Sequence, residues 1–445
     1  MVTLAVAEDT WHVTVLSNFA RGYDKYARTY SKAAIPESTY PDRFYLLRPE
    51  ELAIGVEKAS RLRAKLALPG DRLLAIRTRV GTAQLSPNLR NGLGRYVEGP
   101  AVKVDGLAEV SPDGGLTPIS VEDAYAGSLQ LLTPQLQPFA QLQPRTLSLL
   151  PIARGCQARC AFCFSAGSAS SEQAQARLDL ARLQTVAEAA RARGATRFVI
   201  TGGGEPGLLR RDQLLQAIRI GRKALGKAVL ITNGAHLASA ADGGLDDLAA
   251  YAEAGLDVLS VSRHHWRDDA NGRIMALHID SERLAAAWRA GGRPVPTLRF
   301  VCVLQQGGVD SPQTLSAYLD WTVAQGVREV CFKELYVSTS LETAYHATAS
   351  NAWSRSHQVP LSLVLDFAKT AKFEIVDRLP WGAPVFAGPW RGTTVRIAAY
   401  TEPSLFWERA HGMARSWNLM ADGRCLVSLE DRESEISIGD AACPG

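Results

Sequence analysis

The chain has 445 residues, 46% hydrophobic and 21% charged, with a formal net charge of +4. That length allows a large core and more than one structural unit, and the balance is that of an ordinary soluble globular protein. Arginines are spread without a dense basic run and no window of eighteen uncharged apolar residues occurs, so neither a nucleic-acid partner nor a membrane span is expected. The start lacks a cationic leader and carries Glu8 and Asp9, and the seven cysteines are three clustered and four dispersed. Both features read as a cytoplasmic, reducing setting with a metal site rather than a disulfide framework.

Residues 1–145 read as an N-terminal α+β extension of unrecognised role. PEELAIGVEKASRLRAKL, residues 49–66, has apolar residues at helical spacing with early acids and late bases, and Pro69, Gly70 and Asp71 end it. RLLAIRTRVG reads as a strand. AVKVDG, LAEVSPDGG and LTPIS read as short strands joined by Asp-Gly turns. Residues 129–144, LQLLTPQLQPFAQLQP, are too broken for a helix and read as a linker. A lid, a docking module for a substrate peptide and a dimerisation arm all fit this region.

From Leu147 the pattern changes. TLSLLPIA reads as a strand that runs into RGCQARCAFCFS, residues 154–165, where Cys156, Cys160 and Cys163 stand at CxxxCxxC spacing with Phe162 before the third. Thiolates are soft ligands suited to iron–sulfur clusters and zinc. Three on one tight loop hold three corners of a cubane and leave one iron open, which makes a chemical site rather than a closed cage. A zinc site with its fourth ligand elsewhere uses the same residues.

Strands and helices then alternate to VREVCFKELYV. Six strands with intervening helices imply a parallel sheet with right-handed crossovers, a partial (β/α)6 barrel over residues 146–342 with its site at the carboxyl ends of the strands. The cysteine loop follows the first strand. The second ends in Gly202, Gly203, Gly204, Glu205 and Pro206, where glycines let a ligand approach the backbone closely. The third ends in Thr232, Asn233 and Gly234, and the fourth in Ser260, Val261, Ser262 and Arg263.

CxxxCxxC, GGGEP one strand–helix unit later, and polar residues after the next two strands resemble the radical S-adenosylmethionine (radical SAM) superfamily, in particular its molybdenum-cofactor cyclase and peptide-modifying branch. The resemblance covers about residues 147–340. It implies one [4Fe–4S] cluster on Cys156, Cys160 and Cys163, whose open iron chelates SAM and whose electron cleaves it to a 5′-deoxyadenosyl radical. It also implies that Phe162, Gly203, Gly204, Glu205, Asn233 and Ser262 help to seat SAM, and that an external one-electron donor of flavodoxin or ferredoxin type acts as partner. The cofactor then carries the difficult chemistry while the protein aims it.

His264, His265, Trp266 and Arg267 follow the fourth strand, where many relatives carry a Ser-Leu-Asp-Gly-like segment. One reading makes His264 or His265 a substrate contact or proton carrier; the other is a solvent-facing loop. In VCFKEL, alternation puts Cys331, Lys333 and Leu335 on one face and Phe332 and Glu334 on the other, so either Lys333 or Glu334 enters the barrel. An inward Cys331 serves either as hydrogen-atom donor or as inert packing, and Cys302 reads as core. Residues 343–445 read as a C-terminal extension capping the barrel, with LSLVLDFAKTAKF a helix, VRIAAY a β segment and a hairpin turning at Asp422-Gly423. Trp381, Trp390, Trp407 and Trp417 are available to close the open side. Cys425 and Cys443 do not suffice for a second cluster. The substrate expected is a small molecule, with a ribosomally made precursor peptide as the alternative. A non-enzymatic zinc or iron–sulfur protein is the reading from a different class.

Overall fold

The computed structural model describes the strand residues within the first 136 positions. It also describes residues 137–438, apart from 154, 175, 291–293, 338–344, 346, 347, 403–407, 410 and 411. The helix expected over 49–66, the first part of the linker, Trp407 and Cys443 lie outside the described residues. The chain forms two compact units, Met1–Leu136 and Gln137–Gly445.

In the first unit, β1 (Val2–Val6), β2 (Asp9–Ser17), β4 (Arg72–Val80), β5 (Val102–Val110) and β6 (Leu116–Ile119) make an antiparallel sheet in that order, with β3 (Arg43–Tyr45) also on β2. VKVDGLAEV is one strand rather than two. The register shifts at Arg77/Thr78, which face Gly106 and Val104, so Asp105 is an extra residue in the ladder and the Asp-Gly pair marks a bulge, not a turn.

The second unit is an α/β fold around β7 (Gln143–Leu150), β8 (Phe198–Ile200), β9 (Ala228–Thr232), β10 (Val258–Ser262), β11 (Thr297–Leu304) and β12 (Glu329–Glu334). Each pairs in parallel with the next. The helices between them are α1 (Phe164–Gly167), α2 (Leu180–Ala192), α3 (Arg211–Leu225), α4 (Ala235–Ala238), α5 (Leu245–Glu253), α6 (Asp268–Met275), α7 (Ser281–Ala290) and α8 (Pro312–Ala324). Local chemistry sets their ends. The Asp179 carboxylate caps α2 by accepting from the Ala181 and Arg182 amides, and Ser311 and Thr314 form a reciprocal capping box on α8.

The strands bury one row of side chains against helices and turn the other row inward. Phe300 packs on Trp321 at 4.8 Å between ring centres and Phe332 on Tyr318 at 5.5 Å, both partners on α8. Residues of opposite parity, Arg299, Val301, Cys331 and Lys333, therefore face the barrel interior. Beyond β12 come α9 (Ala349–His357), α10 (Ser362–Thr370), β13 (Glu374–Arg378), β14 (Pro384–Trp390), β15 (Thr393–Tyr400), β16 (Met413–Met420) and β17 (Cys425–Leu426). These strands lengthen the sheet at both ends: β15 pairs in parallel with β12, and β16 with β7. The result is an open eleven-stranded sheet with β13 and β17 at its edges, a partial barrel. The hairpin at Asp422-Gly423 forms as expected but extends the β7 edge. Trp417 is buried under Arg193, and Trp390 packs on Phe367 and donates to Asp320. Both are packing residues. No helix among the described residues is long and apolar enough to cross a membrane.

Candidate active site

The cysteine loop leaves the carboxyl end of β7. Its backbone is anchored where the Arg159 N–H donates to the Met275 carbonyl at 2.8 Å, and the Cys163 N–H to the Cys160 carbonyl at 3.1 Å. Cys156 is exposed, Cys160 and Cys163 are half-buried, and all three are free thiols. Burial pushes the Cys160 thiol up to about 12, and the charges of Cys163 and Cys156 add to it. Burial also raises Cys156. Thiols that hinder one another's ionisation need a cationic centre to hold them deprotonated. No group of three His, Cys, Asp or Glu side chains among the described residues is arranged around a single ion.

The loop after β8 lies directly on this cysteine loop. A Cβ on Gly204 would stand 2.2 Å from the Gly155 carbonyl oxygen, and one on Gly203, at φ +83°, 2.5 Å from that of Ile152. The Glu205 N–H donates to the Gly155 carbonyl at 2.8 Å and the Gly203 N–H to the Ser165 hydroxyl at 3.2 Å. The glycines thus serve backbone-to-backbone approach between the two loops, a demand that sequence reasoning had assigned to the ligand alone. The buried Glu205 carboxylate accepts from the Gly207 amide at 2.8 Å, from the Asn233 amide at 2.7 Å and from the Thr232 hydroxyl. Burial raises this carboxyl and those three donors oppose the rise. Its oxygens are therefore engaged in tying the end of β8 to the end of β9.

Asn233 comes next in this chain of contacts. Its Nδ2 donates to Gln157 Oε1 at 3.1 Å and lies 3.8 Å from Cys156 Sγ, while its Oδ1 accepts from the Ala235 amide that opens α4. Ser262 ends β10 half-buried on the interior-facing row. Its neighbour on that row, Ser260, accepts from Arg299 at 2.6 Å.

In the segment after β10, His264 and His265 are buried and Arg267 faces solvent. Arg263 has no exposed surface; it donates to the carbonyls of His265 and Trp266, pairs with Asp268 at 2.6 Å and lies over the Trp321 ring. His264 Nδ1 accepts from the Val303 amide at 3.1 Å, which fixes the Nε2–H tautomer, and its ring meets Phe162 edge-on at 5.1 Å. Burial and the Arg263 charge lower its pKa to about 3. A neutral, anchored imidazole is a fixed donor, not a carrier of protons, which corrects that expectation for His264. His265 is buried, stacks on Trp266, accepts at Nδ1 from the Arg267 amide and is lowered by burial and by Arg267.

On β12 parity decides between the two candidates. Lys333 enters the barrel, where its ammonium pairs with Glu402 and lies 5.4 Å from the centre of the Tyr400 ring. Burial pulls this ammonium down, and the Glu402 carboxylate more than reverses that, so its pKa is raised. Glu334 shares the helix-facing side with Phe332. Arg415 reaches the other Glu402 oxygen at 3.5 Å, its own amide donates to Glu408, and the Tyr336 hydroxyl donates to Glu430. Cys331 faces the interior three residues before the rim end of β12, about 10 Å deeper by strand rise; Arg299, Lys333 and Arg197 are the charges around it. Cys302 is core, its thiol against the His264 carbonyl.

With this geometry in place, residues 150–304 match the family model of the radical SAM superfamily. This stretch is a radical SAM domain. No curated protein sequence matches the chain. Among solved structures, SuiB of Streptococcus suis, bound to S-adenosylmethionine, is 15% identical over 64% of this chain and 58% of its own, with a TM-score of 0.40. Coproporphyrinogen III oxidase (HemN) of Escherichia coli is 14% identical over 53% and 55%, with a TM-score of 0.34. A radical SAM methyltransferase of Sphaerobacter thermophilus is 19% identical over 51% and 62%, with a TM-score of 0.34. The chain thus spans less than two thirds of each.

A radical SAM domain takes a [4Fe–4S] cluster and SAM, and the residues fit both: three free thiols on one loop, bordered by the Asn233 amide and backed by the glycine loop. Sequence reasoning missed Gln157, which holds Asn233. It also missed Gln173, which donates to the carbonyls of Ser170 and Ile152 and accepts from the Ala421 amide, joining the hairpin to the cysteine loop. Glu402, Glu408, Arg415 and Glu430 were missed as well. No spacing marks them, because their partners lie far away in sequence.

Proposed function

We propose that this protein is an enzyme that reductively cleaves SAM at one [4Fe–4S] cluster on Cys156, Cys160 and Cys163. Its substrate is a small molecule of amino-acid, sugar or nucleoside type in specialised metabolism, and its electron comes from a flavodoxin- or ferredoxin-type donor. The observation that carries this reading is the seating of the Gly202–Glu205 loop on the backbone of the cysteine loop. When bound, the cluster and SAM supply a 5′-deoxyadenosyl radical that abstracts a hydrogen atom from substrate.

The chain's own residues aim that chemistry. Gly203 and Gly204 fix the loop that borders the open side of the cysteines. Asn233 and Ser262 offer an amide and a hydroxyl to SAM. Glu205 acts as a positioning residue, because its carboxylate holds the Asn233 backbone. Phe162, between the rings of His264 and Trp353, excludes water beside the cysteines. The His264 Nε2–H is a fixed donor, and the paired charges of Lys333, Glu402 and Arg415 favour a polar small molecule. A precursor peptide is the second reading, supported by the antiparallel sheet of the first unit, whose edge strands can accept an extended segment.

The test uses anaerobically reconstituted protein, dithionite and SAM, with 5′-deoxyadenosine and methionine measured by mass spectrometry. Release that Cys160→Ala lowers by a factor of about 1,000 supports the proposal. A fully loaded cluster whose electron paramagnetic resonance spectrum ignores SAM sinks it. Label transfer from deuterated candidate substrates then separates small molecule from peptide.

A further inference from the structure

The end of the barrel opposite the cysteine loop holds a cavity of about 310 Å³ that the proposed chemistry does not use. Its cations are Arg197, just before β8, Lys227, just before β9, Arg299 on β11 and Arg396 on β15. Three carboxylates, Asp257, Glu329 and Asp377, line it too, and each is paired with a cation other than Arg197, Lys227 and Arg299. Asp257 accepts from the Ala228 amide at 2.8 Å and pairs with Arg222, outside the cavity, at 3.1 Å. Glu329 and Asp377 both turn to Arg396, each at 3.6 Å.

That leaves three cations converging on one space with no carboxylate within 4 Å among the described residues. Arg299 reaches only the Ser260 hydroxyl, at 2.6 and 3.0 Å. Burial lowers the Arg197 guanidinium and Arg299 adds repulsion, with Asp377 opposing; burial lowers Lys227 and Arg197 adds to it, with Glu329 and Asp257 opposing. Gathering half-buried like charges is unfavourable unless an anion joins them. Two residues up each strand, Val199, Val229, Val301 and Cys331 form the next interior layer. This layer stands about 6.6 Å of strand rise above the cavity's cations, between them and the rim. At about 30 Å³ per water the cavity holds roughly ten waters, room for a tetrahedral oxyanion with a small group attached.

We infer that this basal cavity is a phosphoryl-oxyanion site held by Arg197, Lys227 and Arg299. Guanidinium forks and an ammonium suit a tetrahedral dianion, and the valine layer keeps it apart from the redox end. Two sources supply such an anion, free phosphate and the phosphoryl group of a small ester.

The experiment titrates the full-length, cluster-loaded protein with inorganic phosphate and, separately, with glycerol 3-phosphate, at constant ionic strength set by chloride. Calorimetry and thermal unfolding are both read. Saturable binding with a rise in Tm of about 2 °C at tenfold excess over Kd is expected. Arg299→Gln and Lys227→Met are each expected to weaken it at least tenfold. Asp377→Asn removes an exposed competing carboxylate and is expected to tighten binding two- to fivefold, roughly the scale of a surface charge pair. Misfolding cannot imitate that gain. Tighter binding of the ester assigns the site to a phosphorylated metabolite, and tighter binding of phosphate to the free anion. No saturation by either at about 10 mM, equal binding by all the variants, or the same response to chloride overturns the inference.

Discussion

The rim above β7, β8 and β9 and the rim beside β12, β15 and β16 belong to one sheet, yet they are held in opposite ways. On the first, backbone meets backbone. Gly203 and Gly204 lie against the carbonyls of Ile152 and Gly155, and Glu205 collects neutral donors from Gly207 and from the end of β9. On the second, long side chains carry the structure: Lys333 and Arg415 share Glu402, Glu408 accepts from Arg415, and Tyr336 donates to Glu430. Backbone contact makes a rigid seat for a cofactor whose geometry never varies. A largely buried ion network makes a wall whose charge pattern is specific and sensitive to substitution, as the proposed substrate-facing role requires.

The contrast is broken most directly at Lys333. Lys333→Met takes one cation away from the largely buried Glu402 carboxylate, and a destabilisation of about 3 kcal/mol is expected from denaturant titration. Adding Glu402→Gln should return most of that loss, because the double variant removes both charges together. If the two losses simply add, the pair is not coupled and the network reading fails.

Gly204→Ala probes the other rim. Its new methyl would overlap the Gly155 carbonyl, so the cysteine loop must shift, with an expected cost of about 1–3 kcal/mol. Iron incorporation should fall more than overall stability does, since the strain falls on the ligand loop. Wild-type iron content in this variant would show that the loops are not in register as described.

A pH slope probes the same wall. Burial pushes the Glu408 carboxyl up to about 8; Arg415 opposes that rise, while Glu430 and Glu402 support it. A carboxyl raised in the folded state contributes stability that is complete below its unfolded value of about 4.5 and is lost as pH rises through about 8. The wild-type Tm should therefore fall between pH 5 and 9 more than that of Glu408→Gln. Parallel curves would place the slope elsewhere.

Much of the first rim was legible without coordinates. CxxxCxxC, GGGEP and the alternation of strands and helices are local patterns, and each element sits where its spacing put it. The second rim was not legible. Lys333 could be named as inward or outward only by parity, and Phe332 against Tyr318 settled it. Its partners Glu402 and Arg415 are far along the chain, with nothing in their neighbourhood to mark them. The histidines after β10 looked like titrating groups by residue type, but burial and the Val303 amide make His264 a neutral donor.

What the sequence by itself determined is therefore what short-range geometry controls: helix caps, strand alternation, the three thiols on one loop and the glycines that permit close approach. Only the tertiary structure decided how the C-terminal strands flank β7 and β12, which charges meet inside the barrel, and which basal cations are left without carboxylates. Those outcomes depend on pairings between segments tens to hundreds of residues apart, and on the desolvation that follows from them, and neither is encoded in any local run of residues.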